Sequence, residues 1–554
     1  MFTLVLRYFN TIKYLKFIQL KNQIFKRFRI RRRLRPVGEI FRSNPSYPIK
    51  NCIKKPQSIF PNLEFRFLGS SAFLNQISWS GSQKNDLWRY NQHYFDDLGS
   101  GVTANHCMLQ LEAIDAWISQ NSLGSKPGWD AYPTSLRIVN WIKYDLRNKK
   151  LNDSHLKSLY EQSLHLENNI EWHLLGNHLF ANAKALIFAG LYFQGSTPKK
   201  WIIKATKILR VQIEEQILED GGHFELSPMY HAIILEDLLD LINILEAYKT
   251  DRNSKLKDLL TQSRKAAVKM LNWANLMRHP DGRLPFFNDT AMDISASFNE
   301  LFYYAKNLTL DYSGVSKCEI IKLENSGFYI WKDGCNKLFF DVGAVGASYQ
   351  PGHAHADTLS VECSINGTNL IVNSGTSEYA ESELRAYQRS TAAHSTVEIN
   401  GKNSSETWRS FRVARRASII KRTVSKNNRN VIFSASHDGY YRLPGKYIHF
   451  RSIECEPNQI KILDKVSGII DGKLQINFFL APGIKSEKLG LRIYKLSNEF
   501  GEINAKIEFS DGEVESKPSL WYPRFGTQEK NIKFEINFCG KLPKEIETKL
   551  IWNS

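Results

Sequence analysis

A chain of 554 residues is longer than one hydrophobic core supports, so two or three domains are expected. Its 42% hydrophobic and 23% charged content is that of a globular protein. The formal net charge is +18, yet residues 1–35 hold eleven Lys or Arg and no Asp or Glu, leaving +7 for the remainder. That balance favours anionic partners, among them acidic polysaccharides and phospholipid surfaces. No RNA- or DNA-binding signature is present, so nucleic acid is not read as a partner. Seven scattered cysteines without a CxxC pair argue against a disulfide framework and a thiolate zinc site.

The N-terminal stretch "MFTLVLRYFNTIKYLKFIQL" is apolar but broken by Arg7, Lys13 and Lys16, and it lacks the pattern of a signal peptide. No later segment has the length of a membrane span. Residues 1–35 read either as a basic amphipathic helix that touches a membrane surface or as a solvated basic arm. The compartment stays open between cell envelope and cytoplasm. Pro36, Pro45, Pro48 and Pro56 then mark an extended linker over residues 36–60.

From about 100 to 310 apolar residues recur at helical spacing, as in "HLLGNHLFANAKALIFAGLYF" and "HAIILEDLLDLINILEAY". At least six such segments follow one another without alternating strands, which reads as an all-α array. After about residue 318 the period becomes two: "GFYIWKD", "KLFFDVG", "LSVECSI", "NLIVNSG" and several more are short strands bounded by turn residues. Asn366-Gly367 and Asn400-Gly401 are hairpin signals between them. The expected class is α+β multidomain, helices first and an antiparallel β-sandwich second. The expected limits are 1–48 for the arm and linker, 49–315 for the helical domain and 316–554 for the sandwich.

Three stretches carry residue types suited to chemistry. In "DGGHFELSPMYHAIILEDLL", Ser227 reads as a helix N-cap with Pro228 at the first helical position, which puts Tyr230 in the first turn. There the helix dipole would favour a phenolate, as a tyrosine base requires; packing against the loop is the bland reading. In "EWHLLGNHLFANAKAL", Asn177 and His178 interrupt an apolar helix beside Gly176, and a satisfied core pair is the bland reading. In "YQPGHAHADTL", an extended backbone would project His353, His355 and Asp357 to one face. Asn373 in "NLIVNSGTSEY" and His394 in "RSTAAHSTVEI" lie on neighbouring strands, so histidines and oxygen ligands could converge as a zinc site requires.

Together "WRYNQHYFDDL", "WDAYPTSLRIVNWIKY", "LLGNHLFANAKAL", "GGHFELSPMYH", "PDGRLPFFNDT", "GHAHADTLSVECSINGTNLIVNSGTSEY" and "AAHSTVEING" resemble the heparinase II/III-type polysaccharide lyases over roughly residues 85–420. The resemblance implies an incomplete α/α toroid followed by an antiparallel β-sandwich. It also implies β-elimination on a uronic acid-containing, anionic polysaccharide. Asn177, helped by His178 or His353, would neutralise the uronate carboxylate. Tyr230 would abstract the C5 proton or protonate the leaving oxygen, with a histidine taking the other step. Tyr94, Tyr132, Arg137, His223, Glu225 and Arg283 match motif positions that would line the cleft, arginine being suited to bidentate carboxylate binding. The resemblance further implies a structural zinc or other divalent cation held by His, Asp and His. The matching positions are His355, Asn373 and His394, and the neutral Asn373 amide is a poorer zinc ligand than carboxylate.

Two other functions remain open at the level of sequence. A glycoside hydrolase on the same toroid would use paired carboxylates such as Glu225 and Asp289. A polysaccharide-binding or envelope-assembly protein would keep the fold without catalysis.

Overall fold

A computed structural model describes residues 2–27, 38–81, 83–101, 103–250, 253–312, 320–427 and 430–553. The arginine run after residue 27, the expected boundary at 315/316 and Cys318 lie outside the described residues. The six described cysteines are free.

Between residues 104 and 307 eight helices follow one another: Ala104–Gln120, Ala131–Asn148, Asp153–Asn168, Gly176–Tyr192, Ser196–Gln216, Pro228–Ala247, Ser254–Leu276 and Phe298–Asn307. Side-chain caps at Thr103, Asn152, Ser227, Asn253 and Ser297 satisfy first-turn N–H groups and set where these helices begin. The Gly176–Tyr192 and Pro228–Ala247 helices are apolar almost all round and form the inner layer. The arrangement is the incomplete α/α toroid.

The sandwich follows. Its nine-stranded sheet runs Ile320–Leu323, Phe328–Asp333, Asn336–Asp341, Val361–Ile365, Thr368–Val372, Gly472–Leu480, Glu529–Gly540 and Glu513–Trp521, with Val397–Ile399 also paired to Gly472–Leu480. An eight-stranded antiparallel sheet covers one of its faces. Side-chain alternation divides the inner strands between two cores. Phe328, Ile330 and Phe339 pack into the toroid, while Tyr329, Trp331, Leu338 and Phe340 pack between the sheets. The nine-stranded sheet is thus buried on both sides, and it seals the joint between the domains.

Asn366-Gly367 forms the expected tight hairpin, with φ of 49° and 83° and Ile365 opposite Thr368. Asn400-Gly401 also turns, but the return is a single bridge, Ile399 to Lys402, before the chain leaves the sheet, and Val397–Ile399 pairs with Gly472–Leu480 instead. The proline-rich segment is extended yet not free. Ser43 N–H donates to the Tyr192 carbonyl at 2.8 Å and Tyr47 N–H to the Ala247 carbonyl at 2.9 Å, so it is strapped to the toroid. A three-stranded sheet over Ile59–Phe60, Glu64–Phe67 and Ser70–Phe73 precedes the helices. Its Phe65 and Phe67 pack on Trp79 and Trp88.

Candidate active site

Two helix N-termini open where the toroid meets the sandwich. Leu175 (φ 63°) and Gly176 (φ 56°) turn the chain sharply, so the helix starts at Gly176 and not within the apolar run before it. Asn177 and His178 therefore occupy a first turn instead of interrupting a helix. A Cβ on Gly176 would stand 3.1 Å from Glu225 Oε1 and would take up a left-handed conformation. Gly176→Ala is expected to cost about 1–3 kcal/mol and to lower turnover by displacing the Asn177–Glu225 pair. Thermal unfolding together with kcat checks this, and unchanged values of both would contradict it.

The second N-terminus is capped by Ser227, whose Oγ accepts from Tyr230 N–H at 3.2 Å. Tyr230 is placed in the first turn as expected, but its phenolate is not favoured there. Burial pushes its pKa well above the usual tyrosine value, and Tyr379, Asp289 and Glu225 push in the same direction. Low dielectric and nearby carboxylates outweigh the helix dipole. Tyr230 Oη lies 3.1 Å from Tyr379 Oη, and its ring stacks on His353 with centroids 3.8 Å apart.

The segment carrying His353, His355 and Asp357 is an irregular loop and not a strand. The two histidines nevertheless converge, because both reach one carboxylate. Asp289 Oδ2 faces His353 Nδ1 at 2.9 Å, and Oδ1 faces His355 Nε2 at 2.8 Å. Arg385 donates to the same two oxygens at 2.5 and 2.7 Å. Burial alone would raise the Asp289 carboxyl, but the Arg385 charge and the two imidazoles hold it well below the usual range. With Nδ1 engaged, His353 turns Nε2 towards Glu225, 3.5 Å from Oε2. Glu225 Oε1 accepts from Asn177 Nδ2 at 3.0 Å. Asp357 accepts from Asn288 N–H at 3.2 Å and acts as a loop brace.

His178 faces Glu171 Oε2 through Nδ1 at 3.2 Å. Burial would lower its pKa, but the Glu171 charge and hydrogen bond prevail and the net shift is upward. The cationic imidazole is present at low pH and is lost only as pH rises through that raised value. Glu171→Gln removes the raising partner while burial remains. The alkaline loss of affinity for a carboxylate ligand at His178 is therefore expected to move to lower pH, and superimposable affinity–pH profiles would contradict this.

The structure gathers Asn177, His178, Glu225, Tyr230 and His353 with Tyr132, whose ring lies 4.5 Å from that of His178. Tyr94 extends this row, 6.0 Å from Tyr132 between ring centroids. His223 is buried behind Glu225, with Nε2 on Gln216 at 3.1 Å, and burial keeps it neutral. Arg137 and Arg283 are elsewhere. Arg137 is wholly buried inside the toroid, donating to Gln162 and to the His93 and Gly128 carbonyls. Arg283 is exposed and pairs with Asp281 two residues away. The Arg137 guanidinium, without exposed surface, cannot meet a ligand.

Sequence reasoning did not single out Arg385, Tyr379 or Glu171. Arg385 and Tyr379 sit in the polar stretch "SEYAESELRAYQRS", where nothing but their contacts distinguishes them.

The third expected cluster forms, but its donor set does not fit a metal. His355 Nδ1 meets His394 Nε2 directly at 3.1 Å, and the remaining nitrogens face Asp289 and the Ser390 carbonyl. Asn373 Oδ1 accepts from Ser395 N–H at 3.0 Å, while its Nδ2 is buried without a hydrogen-bond partner. No group of three or more His, Cys, Asp or Glu among the described residues is placed to hold a cation. Asn373 offers a neutral amide where a carboxylate would be the stronger zinc ligand.

Residues 142–311 match the family model described as heparinase II/III N-terminus, and residues 318–549 match heparinase II/III-like, C-terminal. The chain belongs to the heparinase II/III family. It is 23% identical over 383 residues to a heparin-sulfate lyase of Bacteroides stercoris, covering 66% of this chain and 52% of that one. A heparin-sulfate lyase of Pedobacter heparinus is 29% identical over 250 residues, covering 41% and 36%. The chain thus spans about half the length, or less, of these curated relatives. Among solved structures, a heparinase III superposes with a TM-score of 0.70 at 16% identity, covering 88% of this chain and 80% of that one. The heparan sulfate lyase HepC of Pedobacter heparinus gives 0.58 at 18%, covering 89% and 81%. These likenesses establish the heparinase II/III fold, toroid then sandwich.

Proposed function

We propose that this heparinase II/III protein is a polysaccharide lyase that cleaves a uronic acid-containing polymer by β-elimination. The observation that carries the reading is the convergence of Tyr230, His353, Asn177 and His178 at the domain joint, on elements that both family models cover. A uronate carboxylate would be met by Asn177 and His178 in the first turn of the Gly176–Tyr192 helix, an N-terminus with no side-chain cap that favours an anion. Neutralising that carboxylate makes the adjacent C5 proton removable.

In this reading the proton steps divide by what each group has to give or take. Tyr230, held neutral by burial, has a proton to give, which suits the general acid. His353, fixed by Asp289 through Nδ1, offers Nε2 as the base. His353 Nε2 takes the C5 proton, the C4–O bond breaks, Tyr230 protonates the departing oxygen, and a C4–C5 double bond forms. The His355–Asn373–His394 cluster is read as a metal-free brace, and no step passes through it.

The hydrolase reading is weaker. Asp289 is saturated by Arg385 and two histidines and its carboxyl is held far below the usual range, so it cannot serve as an acid. The relatives named heparin-sulfate lyases place heparan sulfate first in a panel of uronate polymers. Near-ultraviolet absorbance of the unsaturated product tests the proposal: a rise on at least one polymer is expected. Polymer shortening without absorbance would overturn it in favour of hydrolysis, and tight binding without shortening in favour of a binding protein.

A further inference from the structure

The N-terminal residues form two helices, Phe2–Ile12 and Phe17–Arg27, that lie across the domain joint. Tyr8 packs edge-on against Trp408, whose Nε1 donates to Thr11 Oγ1 at 3.2 Å. Arg412 and Arg416 lie over the Tyr8 and Tyr14 rings. Lys16 pairs with Glu215 and lies over Tyr349, and Gln19 donates to the Leu174 carbonyl. The pair is therefore fixed to toroid and sandwich at once.

Its polarity is inverted. The fully buried positions are polar, Asn10 and Gln19, and Leu6, Leu15 and Leu20 are half-buried, whereas most of the large apolar side chains point away from the protein. Val5 is 60% exposed, Phe9 65%, Phe17 78%, Ile24 60% and Phe25 58%. Val5, Phe9 and Ile12 follow i, i+4, i+7 spacing, and Phe17, Lys21, Ile24 and Phe25 do likewise, so each helix presents one outward stripe. A soluble protein does not leave so many large apolar side chains together in water without a partner. The charge pattern names the partner. Residues 1–35 carry eleven cations and no carboxylate, five of the cations being arginines after Arg27.

We propose that this helix pair is an interfacial anchor that lies in the surface of an anionic lipid bilayer, with its apolar stripes among the acyl chains and the exposed Lys13 and Lys21 among the headgroups. The anchor does not cross the bilayer; no described helix is long and apolar enough to do so. Because Trp408 and Arg412 flank Phe411, which packs on His353, docking would hold the rim of the candidate site beside the membrane. The proposal does not depend on the chemistry at that site.

The test is co-sedimentation of the full chain with vesicles of phosphatidylcholine alone or mixed with phosphatidylglycerol. Wild type is expected to sediment with the anionic vesicles, and raised salt should weaken the binding. The variant Val5→Asp/Phe9→Asp/Phe17→Asp/Phe25→Asp should lose at least about tenfold in partition while unfolding at the wild-type temperature, because the substituted side chains are exposed. The single substitution Phe17→Asp should give a smaller loss in the same direction. Wild type remaining in the supernatant with both vesicles would overturn the proposal. So would equal binding by the fourfold variant, or a lipid-free dimer in sedimentation velocity that the same substitutions dissolve, since a second copy would then be the partner.

Discussion

Tyr230→Phe is expected to abolish elimination while leaving the fold intact. The substitution removes one hydroxyl, and Phe keeps the ring that stacks on His353 at 3.8 Å. Only the hydrogen bond to Tyr379 is lost, a change of about 0.5–1.5 kcal/mol in stability. Removing a general acid lowers turnover by about 10²–10⁴-fold. Because Asn177 and His178 still meet the carboxylate, the loss should fall on kcat with KM nearly unchanged. Steady-state kinetics on whichever polymer wild type cleaves, run beside thermal unfolding, measure both. A variant within threefold of wild-type kcat would mean, at about the precision of such rates, that Tyr230 carries no proton.

Asp289→Ala is expected to damage stability and activity together. Asp289 is the single carboxylate on which Arg385, His353 and His355 converge, and all four are buried. Its loss leaves the Arg385 guanidinium desolvated and unpaired, which costs about 3–5 kcal/mol. It also frees His353 from the bond that sets its tautomer. The double variant Asp289→Leu/Arg385→Met removes both charges and should recover much of the stability without recovering activity, since His353 still lacks its orienting partner. Urea unfolding separates these outcomes. A single variant within about 1 kcal/mol of wild type would show that the network does not brace the domain joint.

The split between helices and strands was legible because the two periods differ and because each half is long enough for its period to repeat. The first-turn position of Tyr230 followed from Ser227-Pro228, a local signal that the structure bears out. The start of the Gly176–Tyr192 helix did not follow, since Leu175 adopts a left-handed conformation that nothing in an apolar run announces. The direction of the Tyr230 shift is not legible in the sequence: a helix dipole can be inferred locally, whereas the opposing burial, Tyr379 and Asp289 come from residues remote in sequence. Arg137 and Arg283 show the same limit, one absorbed by the toroid interior and the other left in solvent. The convergence of His353 and His355 did occur, but through a shared carboxylate rather than through strand alternation.

Elimination breaks the polymer chain without water, and the most direct measurement of it is product mass after digestion in water enriched in heavy oxygen. The full chain is incubated with the uronate polymer it degrades, and the fragments are weighed. Elimination predicts a new non-reducing end lighter by one water than a hydrolytic end, with no heavy oxygen incorporated at the moment of cleavage. Fragments that carry one heavy oxygen per cut and no unsaturation would contradict the assignment of Tyr230 and His353 as the proton-transferring pair of a lyase.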